Sequence, residues 1–279
     1  RKESSAASDV YKRQVKGKIY KDKDISAVSC INTNKCVLAS DETNFLQFFS
    51  LKNNKMLMHK DKIKLGKYKN ENDIEGLTHD GEYFYAVGSH ALSRKKGKYK
   101  SSRYHIFKMK IDDNGKLEEI MVSSLSNIIK GSKKLGIFYQ KSSKDNGIDI
   151  EGLGYYKGKL FVGFRGPIIG MKAQIISFDS QKFWDNDKFE VEHLEFDLKD
   201  KRGIRSMEFR DDLLFIVAGA SPLNESVKSE LVKINLKTKK QEYFSVPNDD
   251  LKLEGFEFAL DSKKIYFYDS QENGMPTLE

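Results

Sequence analysis

The chain has 279 residues, 38% of them hydrophobic and 11% aromatic, enough for one repeat-built domain or two ordinary ones. Its longest apolar run, Leu213 to Ala220, falls far short of the roughly twenty residues that a membrane-spanning helix needs, so no membrane span is expected. The formal charge is +8, but the basic excess is lysine spread singly over strands and turns. That pattern marks a solvated surface and argues against nucleic acid as a partner.

In chain order, Ser4-Ser5-Ala6-Ala7-Ser8-Asp9-Val10-Tyr11-Lys12-Arg13-Gln14 looks like a translated sequencing-library adapter. Residues 1–14 are therefore set apart as non-native, and residues 15–279 are read as one domain. A native start upstream of Val15 is left open, so export is not addressed, with a slight lean to the cytoplasm. Next, Cys30 and Cys36 flank the turn Ile31-Asn32-Thr33-Asn34-Lys35 and could face each other across a hairpin. A bridge would close a very short loop, where the loss of unfolded-state entropy is smallest, so buried thiols are the expected state.

One local pattern then recurs five times. Asp24-Ile25-Ser26-Ala27, Asp73-Ile74-Glu75-Gly76, Asp149-Ile150-Glu151-Gly152, Gly203-Ile204-Arg205-Ser206 and Leu253-Glu254-Gly255 each place an aliphatic residue, a polar one and a small one before a short apolar strand. The third copy leads from Ile150–Tyr156 through strands at Leu160, Gln174–Phe178 and Phe189–Phe196, which makes four antiparallel strands. A four-stranded unit recurring at roughly fifty residues is a β-propeller blade. The expectation is an all-β propeller with five visible four-stranded blades and a sixth left open. One interval is longer by roughly 25 residues, too few for another blade. A surface insertion near 124–146, with a short helix at Ser126–Gly131, fills it. The last blade shows two strands before Glu279, so Val15–Lys21 is a candidate closing strand.

First strands line a propeller channel, and alternation sends the residue after each Ile or Leu into it. The ring reads Ser26, Glu75, Glu151, Arg205 and Glu254, followed always by a small residue. A second ring at the strand ends offers Asp41, Glu42, Ser89, His90, Arg165, Ser221 and Asp269. Candidate ligand-binding residues are Asp73, Glu75, His90, Asp149, Glu151, Arg165, Arg205 and Glu254. Glu75, Glu151 and Glu254 are the candidate ligands of a divalent cation such as calcium, a hard ion that takes oxygen donors. His90, Arg165 and Arg205 are the catalytic candidates if the cation activates a water. The loop from Ser93 to Arg103 carries six basic residues, expected as a solvated hairpin.

Seven motifs in order carry a resemblance: Asp73-Ile74-Glu75-Gly76-Leu77, Gly88-Ser89-His90, Gly147-Ile148-Asp149-Ile150-Glu151-Gly152, Gly163-Phe164-Arg165-Gly166-Pro167, Gly203-Ile204-Arg205, Glu254-Gly255 and Tyr268-Asp269-Ser270. From about Asp24 to Ser270 the chain resembles the bacterial domain of unknown function 3616, which implies no particular activity. The Glu-Gly strand starts are also similar to those of propeller phytase-like esterases and propeller lactonases, whose channel carboxylates bind a divalent metal. Arg205 departs from that pattern, standing where a ligand would be. The readings carried forward are a module binding a small polar or anionic ligand, or a protein partner, at the channel mouth and, as the alternative, a divalent-metal-dependent hydrolase.

Overall fold

Short β-branched and aromatic runs separated by Asp, Asn, Gly and Lys turns give strands that pair with their sequence neighbours. The computed structural model describes residues 14–22, 24–53, 55–67, 70–246, 253–258, 265–269 and 277–278. The first sheet comprises β1 (Gln14–Lys16), β2 (Ile25–Asn32), β3 (Lys35–Ser40), β4 (Phe45–Lys52) and β5 (Lys55–Lys64). The second holds β6 (Ile74–His79), β7 (Phe84–Gly88), β8 (Ile106–Ile111) and β9 (Leu117–Ser123). Then come β10 (Asp149–Tyr156), β11 (Lys159–Gly166), β12 (Ala173–Asp179) and β13 (Val191–Phe196) in the third sheet. The fourth holds β14 (Gly203–Arg210), β15 (Leu213–Gly219), β16 (Glu230–Asn235) and β17 (Gln241–Ser245). The fifth shows β18 (Leu253–Phe258), β19 (Ile265–Asp269) and β20 (Thr277–Leu278).

Each recurring segment opens the first strand of its sheet, and these strands touch in a closed ring: β2 to β6, β10, β14, β18 and back to β2. Antiparallel strands step outward from the ring, which makes the fold a β-propeller. Four sheets have the full four antiparallel strands of a blade, and the last shows three among the described residues. The segment after Val15 is spent elsewhere than expected. β1 lies parallel to β5 on the outer edge of the first blade, with Gln14 opposite Lys55, and does not close the last one.

Successive blades are held together by apolar clusters. Leu46, Phe48, Ile74, Phe84 and Phe107 pack between the first and second blades, and Ile204, Met207, Phe161 and Ile175 between the third and fourth. The stretch between β9 and β10 forms α1 (Ser126–Gly131) and two 3-10 turns. Its Leu125, Ile129 and Leu135 are fully buried in the cluster between the second and third blades. Between β12 and β13, α2 (Ser180–Asp185) buries Trp184 against Tyr85 and Phe183.

The cysteines are bonded to each other, not free. Cys30 and Cys36 are directly opposed in the β2–β3 register with Cα atoms 4.1 Å apart, so the hairpin itself brings the two side chains together. The entropy argument for free thiols weighed loop length and left out this pre-set proximity.

All five first strands share one irregularity. Ile74 and Gly76 pair with the adjacent Gly88 and Val87, so Glu75 is left over. The pairing slips in the same way at Ser26, Glu151, Arg205 and Glu254. Each of these is the extra residue of a β-bulge, which bends the strand and re-aims a side chain. The small residue that follows is required by the neighbouring blade, where crowding at the axis had been expected. A Cβ on Gly152 would lie 2.9 Å from Ile204 Cγ2 and 3.0 Å from Met207 Sδ. Gly152→Val should therefore destabilise the fold by about 1–3 kcal/mol through overpacking. Thermal melting checks this, and an unchanged midpoint would contradict the assigned blade packing.

Candidate functional site at the channel mouth

The bulges bring charged side chains from different blades to one end of the channel, and they sort into two halves. In the first half every carboxylate is paired with an arginine. Arg165 lies opposite the other slip in the β10–β11 register, where Asp149 pairs with Gly166 and Ile150 with Phe164. Its Nη2 is 2.6 Å from Asp149 Oδ2 and its Nε 3.0 Å from Glu151 Oε1. Arg205 Nη1 reaches Glu151 Oε2 at 2.9 Å from the fourth blade, and its Nη2 donates to Glu254 of the fifth. Asp149, Glu151, Arg165, Arg205 and Glu254 thus form one network across three blades. Burial works against the Arg165 charge, but Asp149 and Glu151 raise its affinity for the proton overall.

In the second half carboxylates outnumber their cations. Carboxylate oxygens of Asp41, Asp73 and Glu75 all lie within 4.8 Å of one another. Asp73 is held by Arg103 Nη1 at 3.0 Å and accepts from the Ser89 hydroxyl. Among the described residues no cation lies within ion-pair distance of Asp41 or Glu75, and Asp41 Oδ1 is buried without a hydrogen-bond partner. Burial, then Asp73, then Glu151 push the Glu75 carboxyl well above the usual carboxylate range. Burial and Asp73 push Asp41 up to about 6. These residues line a cavity of about 450 Å³, which Arg94, Lys95, Lys100 and Arg103 also line. The candidate cation ligands are therefore distributed differently from the sequence reading. Glu151 and Glu254 lie on arginines, while Asp41 and Asp73 join Glu75.

His90 is wholly buried and both its ring nitrogens are engaged. The Leu125 N–H donates to Nε2 at 3.2 Å, which leaves Nδ1 as the protonated nitrogen, donating to Gly88 O at 2.9 Å. Burial pushes its pKa down from 6.5 to about 4. It ties the mouth loop to the segment before α1, a role invisible to sequence because Leu125 is distant along the chain. Ser26 donates to Ile74 O, and Ser221 to Lys201 O at 2.6 Å, so both are spent on backbone. Ser270 and the side chain of Asp269 lie outside the described residues. The sequence reading placed no site at Glu208 and Glu257, three residues after the bulged positions of their strands, which line a smaller cavity of about 120 Å³ with His79 and Thr78.

This architecture, a propeller with a charged channel mouth, fixes a class. The chain belongs to the family described as "Protein of unknown function (DUF3616)", whose model matches residues 24–117 and 109–254. No curated protein sequence matches it. Among solved structures it is similar to the glutaminyl cyclase of Myxococcus xanthus, with 12% identity, 96% of this chain and 93% of that one covered, and a TM-score of 0.53. It is also similar to virginiamycin B lyase from Staphylococcus aureus, with 12% identity, coverages of 92% and 82% and a TM-score of 0.48. At these identities the likeness is one of fold.

A pH prediction follows from His90. Its folded pKa lies below the unfolded value, so the folded state resists protonation, and the His90 contribution to stability is lost as pH falls from about 6.5 to about 4. The stability gap between the native protein and His90→Asn should shrink by about 2–3 kcal/mol from pH 7 to pH 4. Denaturant melts at several pH values measure it, and parallel profiles would contradict the assigned neutral, buried ring.

Proposed function

We propose that this propeller is a binding module that takes a divalent cation at the open half of its channel mouth and, through it, a small polar or anionic ligand. The observation that carries the reading is the clustering of three carboxylates with Arg103 as their only close cation among the described residues. Oxygens bound to one calcium ion at 2.3–2.6 Å lie at most about 5 Å apart, so the observed spacing suits a single coordination shell. An all-carboxylate donor set favours a hard cation such as calcium or magnesium over zinc or copper. Water and the ligand would complete the shell from the cavity.

Binding is favoured over turnover because the strongest acid–base candidate, His90, is committed to backbone on both sides of its ring. Arg165 and Arg205, candidate anchors in sequence, are likewise satisfied by carboxylates. The divalent-metal hydrolase shares the cation, but it would have to draw its base from the same carboxylates that are proposed to hold the ion.

Calcium, magnesium, manganese and zinc titrations followed by thermal melting test the proposal. A cation at about a hundred times its dissociation constant should stabilise the fold by roughly 2.7 kcal/mol, and chelator should reverse the gain. Glu75→Gln should abolish the response. It should also leave the ion-free protein at least as stable, since burial and the neighbouring carboxylates already favour the neutral Glu75 carboxyl, whose shape glutamine keeps. No midpoint rise with any of the four ions, or a full response in Glu75→Gln, would overturn the reading.

A further inference from the structure

The loop between β7 and β8 is anchored at both ends and open in the middle. Ser89, His90, Ala91 and Ser93 are buried on the way out, and Ser102 and Tyr104 on the return. Between them the Ser93 N–H donates to Lys98 O at 2.9 Å, the Gly97 N–H to Ser93 O at 2.8 Å and the Lys98 N–H to Ser93 Oγ at 3.1 Å. The tip is therefore a hydrogen-bonded turn, and it carries Arg94, Lys95, Lys96 and Lys98. The expected solvated hairpin is accurate for this tip alone. Farther along, Lys100 and Arg103 clamp Glu71 against the blade.

Arg94 differs from the other arginines at the mouth. Arg103, Arg165 and Arg205 have side chains 13%, 13% and 10% exposed, and each closes on carboxylates. The Arg94 side chain is 62% exposed, and its nearest carboxylate oxygen is Glu151 Oε1 at 3.9 Å, already held by Arg165. Arg94 is thus the most exposed and most loosely paired arginine at the cavity. Lys95 stands beside it with no carboxylate in ion-pair distance among the described residues. Both line the same cavity as Asp41, Asp73 and Glu75. The cavity therefore offers a carboxylate cluster that suits a cation and, in Arg94 and Lys95, two exposed cations that suit an anion.

We infer that the ligand is a phosphate monoester of a small molecule, with its phosphoryl group held by Arg94 and Lys95. This deepens the binding reading above and rests on it for the shared cavity. A planar guanidinium meets two phosphoryl oxygens at once, and a neighbouring ammonium adds a point charge. A phosphate monoester carries three terminal oxygens and close to two negative charges, so it can meet Arg94 and Lys95 and still offer an oxygen to a cation at the carboxylates. A carboxylate has one oxygen fewer and about half the charge, so the same pair would hold it more weakly. The cavity volume falls within the range of small-molecule sites, which are roughly 300–1,000 Å³.

Calorimetric titration of the full chain with glycerol 1-phosphate, with and without magnesium, tests the inference, and glycerol and acetate serve as controls. The ester should bind and the controls should not. The double variant Arg94→Gln/Lys95→Gln should weaken the ester about tenfold or more, while the midpoint rise with magnesium persists. No binding of the ester in either condition, wild-type affinity in the double variant, or equal binding of acetate would each overturn the inference. The magnesium titration separates the two proposals. A magnesium response with no binding of the ester sinks this inference alone, and an ester held through Arg94 without any cation response sinks the cation reading alone.

Discussion

One extra residue in the first strand of every blade is the constraint on which the channel mouth depends. A regular antiparallel pair would send alternate side chains to opposite faces of the blade. The slip between Ile74 and Gly76, repeated in the other four blades, turns the intervening polar residue out of that alternation. The aliphatic residue before it stays buried: Ile25, Ile74, Ile150, Ile204 and Leu253 are all in the core. Packing between blades and charge in the channel are thereby set by adjacent residues of one short segment. The bulge separates the two tasks.

Charge balance then divides the mouth. Glu151 is 2% exposed in its side chain and sits between Arg165 and Arg205, which in turn hold Asp149 and Glu254. Removing one member of such a buried network strands the others and typically costs about 3–5 kcal/mol. That half is best understood as a joint between the third, fourth and fifth blades. The other half has Asp41, Asp73 and Glu75 against Arg103, and among the described residues Asp41 and Glu75 have no cation within ion-pair distance. Both halves occupy one rim, and the number of counter-ions within reach is what distinguishes the paired half from the one proposed to take a cation.

The sequence made the repeat, the inner-strand ring and its charged residues legible, because each blade repeats the same aliphatic, polar and small positions. It did not reveal which carboxylate meets which arginine. Arg205 and Glu151 belong to different blades, and their contact depends on how the bulges turn both side chains. Three glutamates at equivalent positions therefore looked like one ligand set, although Glu151 and Glu254 are claimed by Arg205. Asp41 was visible as a strand-end carboxylate, but its approach to Glu75 requires the first and second blades to be placed together. Cys30 and Cys36 were weighed by loop entropy, whereas their direct opposition in the hairpin decided the outcome.

The central claim is that the mouth has a closed, ion-paired half and an open half that accepts a cation. Anomalous diffraction from crystals of this protein grown with manganese tests it most directly. The account predicts a single anomalous peak enclosed by the Asp41, Asp73 and Glu75 carboxylates, with Arg165 and Arg205 still on their partners. A peak between Glu151 and Glu254, or no peak beside Glu75 in crystals saturated with manganese, would contradict it.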